Sequence, residues 1–325
     1  MHARAQPGAK DTIAKFKTAL SDKGKGAANS RAGAIAGAKA LIVKHGAVAE
    51  SVVLALLPDV LDALADKIKP VAVEAAEFNE ALLKALSPHA VKAVMPTILK
   101  DYDGGKWQTN LGRAMMLNII AKKYPDQINR VLGDCIPVVS GLMWDTKQQV
   151  KDAASEAMSQ ITSACTNKDI RPSIPDIIAC IQKPELTNEC VHKLAGCVFV
   201  QDIDGSALAI MCPLLKRGLD ENVTATKRNV ARIVENMAKL VDDPFEIEPF
   251  IPQLLPQLTR AKDEVSDPEA RNVCQKAYDQ LVMTQTQPPV WNKIERSKVR
   301  AHATRPRASC VPPRSSLLPC HQSDD

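Results

Sequence analysis

Aromatic side chains make up only 3 % of this 325-residue chain, too few to build a core around large rings. Alanine, leucine, isoleucine and valine are plentiful instead, which suits thin helix-on-helix layers. Long apolar runs are also missing. A bilayer span needs roughly 20 consecutive apolar residues, and the best stretch, Ser51 to Leu64, is interrupted by Pro58, Asp59 and Asp62. The opening Met1-His2-Ala3-Arg4-Ala5-Gln6-Pro7 holds no apolar segment of a secretory signal. These absences lead us to expect a soluble, cytoplasmic protein with no membrane partner.

The motifs that carry common chemistries are absent too. Nine cysteines include no C-x-x-C pair, so neither a disulfide framework nor a paired zinc site is indicated. The nearest ligand cluster is Cys190, His192 and Cys197. Helical spacing places Cys190, Leu194 and Cys197 beside the stripe Val191, Leu194, Ala195 and Val198, which reads as small buried apolar residues with His192 turned elsewhere. A phosphate-cradling loop needs G-x-x-x-x-G-K-[ST]. Gly104-Gly105-Lys106-Trp107 lacks the upstream glycine and the hydroxyl, and so reads as a turn. No G-x-S-x-G elbow or H-E-x-x-H helix is present, and acidic pairs such as Asp242-Asp243 sit at helix ends. No catalytic residue, metal, cofactor or small-molecule substrate is expected, and the chain is not expected to be an enzyme.

What is present is a repeat. After the polar break Asp145-Thr146-Lys147, the residues Val150, Ala153, Ala154, Ala157, Met158 and Ile161 form one apolar stripe of helical period. Before the break runs an apolar segment holding Pro137. The unit is a helical hairpin whose first helix bends at a proline. Comparable prolines stand at 58, 96, 137, 175, 213 and 256, at intervals of 38, 41, 38, 38 and 43 residues. Periods near 40 residues with two helices each mark HEAT or armadillo arrays. One hairpin cannot bury its own stripe, so neighbours stack into a continuous core.

The expected architecture is all-α: a solenoid of about seven HEAT-like hairpins over residues 10–283. A disordered lead (1–9) precedes it and a disordered, basic Pro/Arg/Ser-rich tail (284–325) follows. The first hairpin, Thr12 to Ser21 and Asn29 to His45, lacks the proline and reads as a terminal cap. The second helices of the other six begin near Pro70, Lys106, Thr146, Pro184, Val223 and Pro268. Destabilisation is expected from Pro137→Ala, because both neighbouring hairpins should pack on the bend.

The formal charge of +5 belongs mostly to the tail, where seven basic residues from 288 onward face three acidic ones. The body is close to neutral, so affinity for an anionic partner must come from local patches. Basic residues do gather at the turns: Lys147 and Lys151, Lys216 and Arg217, Lys227 and Arg228, and Arg260 and Lys262. Equivalent turns of a solenoid line up, so Lys147, Lys151, Lys216, Arg217, Lys227 and Arg228 form a candidate basic ridge. The competing reading is that basic residues favour C-terminal helix turns through the dipole.

Particular segments resemble the N-terminal HEAT domain of the translation elongation factor 3 family. They are Met143-Trp144-Asp145-Thr146-Lys147-Gln148-Gln149-Val150-Lys151, Asn167-Lys168-Asp169-Ile170, Ile210 to Leu219, Lys227-Arg228, Asn236 to Pro244 and Asp267-Pro268-Glu269-Ala270-Arg271. A large translational activator that senses stalled ribosomes shares a similar region. The resemblance implies a module that docks on the ribosome, touching rRNA and ribosomal proteins, within a cytoplasmic ATPase that helps release deacylated tRNA. Two ABC-type ATPase domains follow the HEAT domain in that family. This chain stops where the next helical domain should begin and its tail resembles nothing there, so a truncated or partial chain without the ATPase is expected. The alternative is a HEAT scaffold for protein partners, as in a stall-sensing activator or another adaptor.

Overall fold

The computed structural model describes residues 7–100 and 106–286. Most of the expected disordered lead, the Gly104-Gly105 turn and the tail from 287 onward lie outside the described residues. Those described are helical throughout, with no strand among them. They form seven stacked hairpins. The first is α1 (Pro7–Ser21) with α2 (Ala28–His45). The second is α3 (Ala47–Val53) and α4 (Leu57–Ala63) with α5 (Lys69–Ala85). The third is α6 (Pro88–Leu99) with α7 (Trp107–Lys123). The fourth is α8 (Pro125–Asn129) and α9 (Leu132–Leu142) with α10 (Gln148–Ser163). The fifth is α11 (Ile174–Gln182) with α12 (Thr187–Ala195). The sixth is α13 (Gly205–Asp220) with α14 (Thr224–Lys239). The seventh is α15 (Pro244–Ile247) and α16 (Ile251–Glu264) with α17 (Pro268–Gln285).

The stripes behave as their period requires. Val150, Ala154, Ala157, Met158 and Ile161 of α10 are buried, as are Val230, Ile233, Val234 and Met237 of α14. They join one continuous core running from Ile13 to Leu281. Each buried aliphatic side chain is worth roughly 1.5–3 kcal/mol relative to exposure, and neighbouring hairpins share that burial. The second helices stack on one another, α2 on α5, α7 on α10 and α14 on α17. The fifth hairpin is short, with nine residues in each helix. There α9 reaches past it to pack on α13.

The prolines do not form one class. Pro96, Pro137, Pro213 and Pro256 lie inside α6, α9, α13 and α16. Pro58 and Pro175 instead stand in the first turn of α4 and α11, after short 3-10 segments. There the missing N–H had no partner to lose. All six rings are exposed except Pro213, which is half-buried. The regular spacing therefore marks a solvent-facing position on the first helix of each hairpin, and not a uniform bend on which neighbours pack.

Two boundaries also shift. Helix α1 begins at Pro7, and α17 continues to Gln285. Thr284 is fully buried and its hydroxyl donates to Ala238 O at 2.9 Å, which holds the end of α17 against α14. Helix α12 stops at Ala195, so Cys197 is not on it, and Val198 is exposed at 79 %. His192 is exposed and Cys190 is buried, as expected from the helical spacing.

Candidate functional site

Antiparallel hairpins put every within-hairpin turn on one edge of the stack and every connection between hairpins on the other. Side-chain bonds trace the first edge directly. At the start of α2, Arg31 meets Asp66 just before α5 at 2.9 Å. Lys106, which precedes α7, lies 3.9 Å from Asp62 in the last turn of α4. Asn110 of α7 donates to Asp145 before α10 at 3.0 Å. Gln182 at the end of α11 donates to Ser155 of α10 at 2.9 Å. Thr226 of α14 donates to Asn188 of α12 at 2.8 Å, and Arg228 faces Glu269 of α17 at 3.5 Å.

Five of the six expected ridge residues have side chains at or near this edge with differing engagements. Lys147 is the residue before the first turn of α10 and is exposed; Lys151 is the fourth residue of α10 and half-buried. Lys227 is the fourth residue of α14. The equivalence of Lys151 and Lys227 is geometric: their N–H groups donate to Lys147 O at 3.2 Å and Val223 O at 3.1 Å, the same first helical bond. Lys216 is exposed just before the last turn of α13. The sixth, Arg217, is drawn inward. Its Nη1 donates to Cys180 O at 2.6 Å, closing the end of α11. The Cys190 thiol, the Thr187 hydroxyl and this guanidinium together draw the Cys180 thiol below its ordinary value. Arg228 is held toward Glu269, with its Nε buried and without a partner.

The helix dipole explains some of these cations and not others. Arg217 occupies the last turn of α13, where positive charge is favoured, and Lys216 stands just before it. Lys151 and Lys227 lie in the first turns of α10 and α14, where the dipole opposes cations by about 0.3–1 kcal/mol each, and Arg228 follows just after. Neither first turn contains an acidic residue. The same is true of α5 and α7.

Those two helices supply the residues that sequence reasoning missed. Lys67 and Lys69 precede or open α5, Lys106 precedes α7, and Lys183 stands in the turn before α12; all four are exposed. The available signal was positional: each falls where a second helix begins, as Lys147 does. Tight sequence spacing around the prolines hid them because turn lengths differ. Lys67, Lys69, Lys147, Lys151, Lys183, Lys216 and Lys227 have no ion-pair partner among the described residues.

Acids on this edge are largely consumed internally. Asp62 takes Lys23 at 2.6 Å and Asp66 takes Arg31. Burial would raise the Asp66 carboxyl, but the Ile68 N–H and Arg31 outweigh it and hold the group below the usual carboxylate range. Asp145 behaves likewise: burial pushes up, while bonds from the Lys147 N–H and Asn110 bring the net value down. Asp152 accepts from Gln148 at 2.8 Å. Other acids stay close to some of the lysines: Glu185 lies two residues from Lys183, and Asp220 and Glu221 stand between Lys216 and Lys227. A cavity of about 340 Å³ opens on this edge between Lys23, Arg31, Asp62, Asp66, Lys67 and Lys106. Among the described residues no group of histidine, cysteine, aspartate or glutamate could hold a metal ion, and no helix is long and apolar enough to cross a membrane.

Comparison with known proteins gives this arrangement a context. Residues 4–158 match the family described as EF3 N-terminal HEAT repeat, and residues 185–290 match Elongation factor 3/GNC1 HEAT repeat. Elongation factor 3 of Phytophthora infestans is 40 % identical over 245 residues, covering 74 % of this chain and 23 % of that protein. The elongation factor 3 proteins of Gonapodya prolifera and Pneumocystis carinii are 41 % and 37 % identical, covering 70 % and 72 % of this chain and 21 % and 23 % of theirs. The chain thus spans less than a quarter of the length of these relatives, all of it in the HEAT region.

Proposed function

Because the chain belongs to the elongation factor 3 family through its N-terminal HEAT repeats, we propose that it is a ribosome-docking module whose hairpin-turn edge lies along ribosomal RNA. The observation that carries this reading is a row of lysines at helix N-termini, placed against the dipole, of which only Lys106 has an ion-pair partner among the described residues, Asp62 at 3.9 Å. Such cations cost stability in the isolated fold and gain their worth from an external anion. Lys67, Lys69, Lys106, Lys147 and Lys151 form the first part of the row, with Lys183, Lys216, Lys227 and Arg228 extending it. Arg217 supports the edge from within. The module acts in the cytoplasm, where ribosomes work, and it acts by binding, without turnover of its own.

A protein-binding scaffold is the second reading. It is favoured by Val73 of α5 with Met115 and Ile119 of α7, apolar side chains exposed at 45 %, 52 % and 40 % on neighbouring helices. The two readings differ in salt dependence. Binding that neutralises phosphates weakens with salt at a slope near 0.7–0.9 per contact, whereas an apolar contact is nearly flat.

The test is co-sedimentation with ribosomes across a salt series. Wild type is compared with a variant carrying glutamate at 147, 151, 227 and 228, with helical content checked in both. The expected result is a steep salt dependence for wild type and loss of pelleting for the variant. Equal pelleting of the two would show the row to be an ordinary solvated surface.

A further inference from the structure

The turn between α9 and α10 displays an aromatic ring that the fold does not use. Trp144 is 55 % exposed, although Leu142 and Met143 just before it are buried. Trp107, by contrast, packs against the core. Among the described residues, no other within-hairpin turn exposes a large aromatic side chain. The turn that carries Trp144 is firmly built. Met143 N–H donates to Val139 O at 3.0 Å, Trp144 N–H to Gly141 O at 3.1 Å and Asp145 N–H to Leu142 O at 3.1 Å. The carboxylate next to the ring is occupied: Asp145 accepts from the Lys147 N–H and from Asn110, both at 3.0 Å. Lys147, three residues on, stays exposed with no ion-pair partner among the described residues.

An indole fixed in the middle of a row of lysines has a specific use. Lysines hold phosphates and read neither sequence nor strandedness. A flat apolar ring beside them can take the face of a base, but only a base free of its stack, because a paired A-form helix offers no open face. Resting on the ribosomal RNA reading above, we propose that Trp144 is a stacking platform for one unpaired RNA base, with Lys147 holding an adjacent phosphate. The edge would then discriminate single-stranded or bulged RNA from duplex, a selectivity that its charges alone cannot provide.

Fluorescence anisotropy of the full chain with a labelled oligouridylate of about 12 nucleotides, and with a duplex of equal length, tests this. Wild type should bind the single strand more tightly than the duplex. Trp144→Ala should weaken single-strand binding roughly 5- to 100-fold, leaving the duplex affinity and the salt slope unchanged. Trp144→Phe should recover most of the loss. Lys147→Glu should weaken both ligands and lower the salt slope by about 0.7. Circular dichroism should be identical for all variants, since the ring is outside the core. The proposal falls if Trp144→Ala leaves single-strand affinity within about twofold of wild type, or weakens both ligands equally. If Trp144→Ala lowers ribosome pelleting without touching oligonucleotide affinity, the ring meets a ribosomal protein: stacking is then wrong, while docking stands. If charge reversal at 147, 151, 227 and 228 also leaves pelleting intact, the docking reading fails independently.

Discussion

The two edges of the stack are built from the same helices, yet they treat charge in opposite ways. At the connections between hairpins, helix starts follow the dipole. Ser87, Asp204 and Asp243 cap α6, α13 and α15 by accepting from Ala90, Ala207 and Phe245 N–H groups. Acids also occupy the first turns of α8 and α9. Basic residues there are put to internal use: Lys123 donates to the carbonyls of Leu83, Lys84 and Leu86 at 2.9–3.2 Å. Lys84, Lys122 and Lys239 pair with Glu80, Glu156 and Glu235. At the within-hairpin edge, α5, α7, α10 and α14 begin with lysines and no acid. The first edge uses its charges within the fold; on the second, several of the lysines have no ion-pair partner among the described residues. At α12 and α17 the contrast ends: Glu189 sits in the first turn of α12, and Asp267 caps α17 with Glu269 in its first turn.

The largest expected effect comes from moving the charge reversal between edges. Changing Lys67, Lys69, Lys106, Lys147 and Lys151 to glutamate should lower ribosome affinity at least about tenfold at moderate salt, through lost counterion release. The same change at Lys44, Lys84, Lys122, Lys168 and Lys239 on the other edge should leave it close to wild type. Equal losses from both sets, measured by co-sedimentation, would make net charge the cause and erase the distinction between edges.

A second comparison separates cations that hold the fold from those that do not. Arg113 is buried at 2 % exposure, and its guanidinium donates to Ile98 O and Lys100 O at 2.6 Å, closing the end of α6. Arg113→Ala leaves those carbonyls unmet and should cost about 3 kcal/mol in a urea titration. Lys147→Ala should change the same midpoint by no more than about 0.5 kcal/mol.

Pro137 gives a smaller effect, of the opposite sign to the one its spacing first suggests. The ring is exposed inside α9, and it denies Gly133 O its helical N–H partner. Restoring that bond outweighs the roughly 0.4–1 kcal/mol of unfolded-chain entropy that proline removes. Pro137→Ala should therefore stabilise the protein by about 1–2 kcal/mol in thermal unfolding. A loss of stability would return the proline to the stacking interface.

The smallest effect is the most diagnostic of the edge. Lys151→Glu places an anion where the dipole of α10 favours one, and should raise stability by about 0.3–1 kcal/mol while weakening ribosome binding. Stability and binding moving in opposite directions is the mark of a residue kept for its partner. If both fall together, Lys151 serves the fold.

Much of the molecule was legible in one dimension because its contacts are local. The stripe of α10 could be read residue by residue, since a period of 3.6 tells which positions share a face. The second-helix starts near Pro70, Lys106, Thr146, Pro184, Val223 and Pro268 fell within a few residues of those observed. The ridge was legible in part. Lys151 and Lys227 share a phase counted from their prolines, and that phase survives as the same position in two helices.

What the chain alone determined, then, is the repeat, its two-helix content and its shared core, because periodic burial needs only near neighbours. Which cations are free was decided by the tertiary structure. Lys216 and Arg217 are adjacent in sequence and alike in charge, yet packing turns Arg217 onto the carbonyl of Cys180 and leaves Lys216 in solvent. Lys67, Lys69, Lys106 and Lys183 join Lys147 on one edge only when the hairpins stack, since unequal turn lengths break any fixed spacing between them. A side chain's availability depends on what the neighbouring repeat presents roughly 40 residues away, and a linear pattern does not encode that distance.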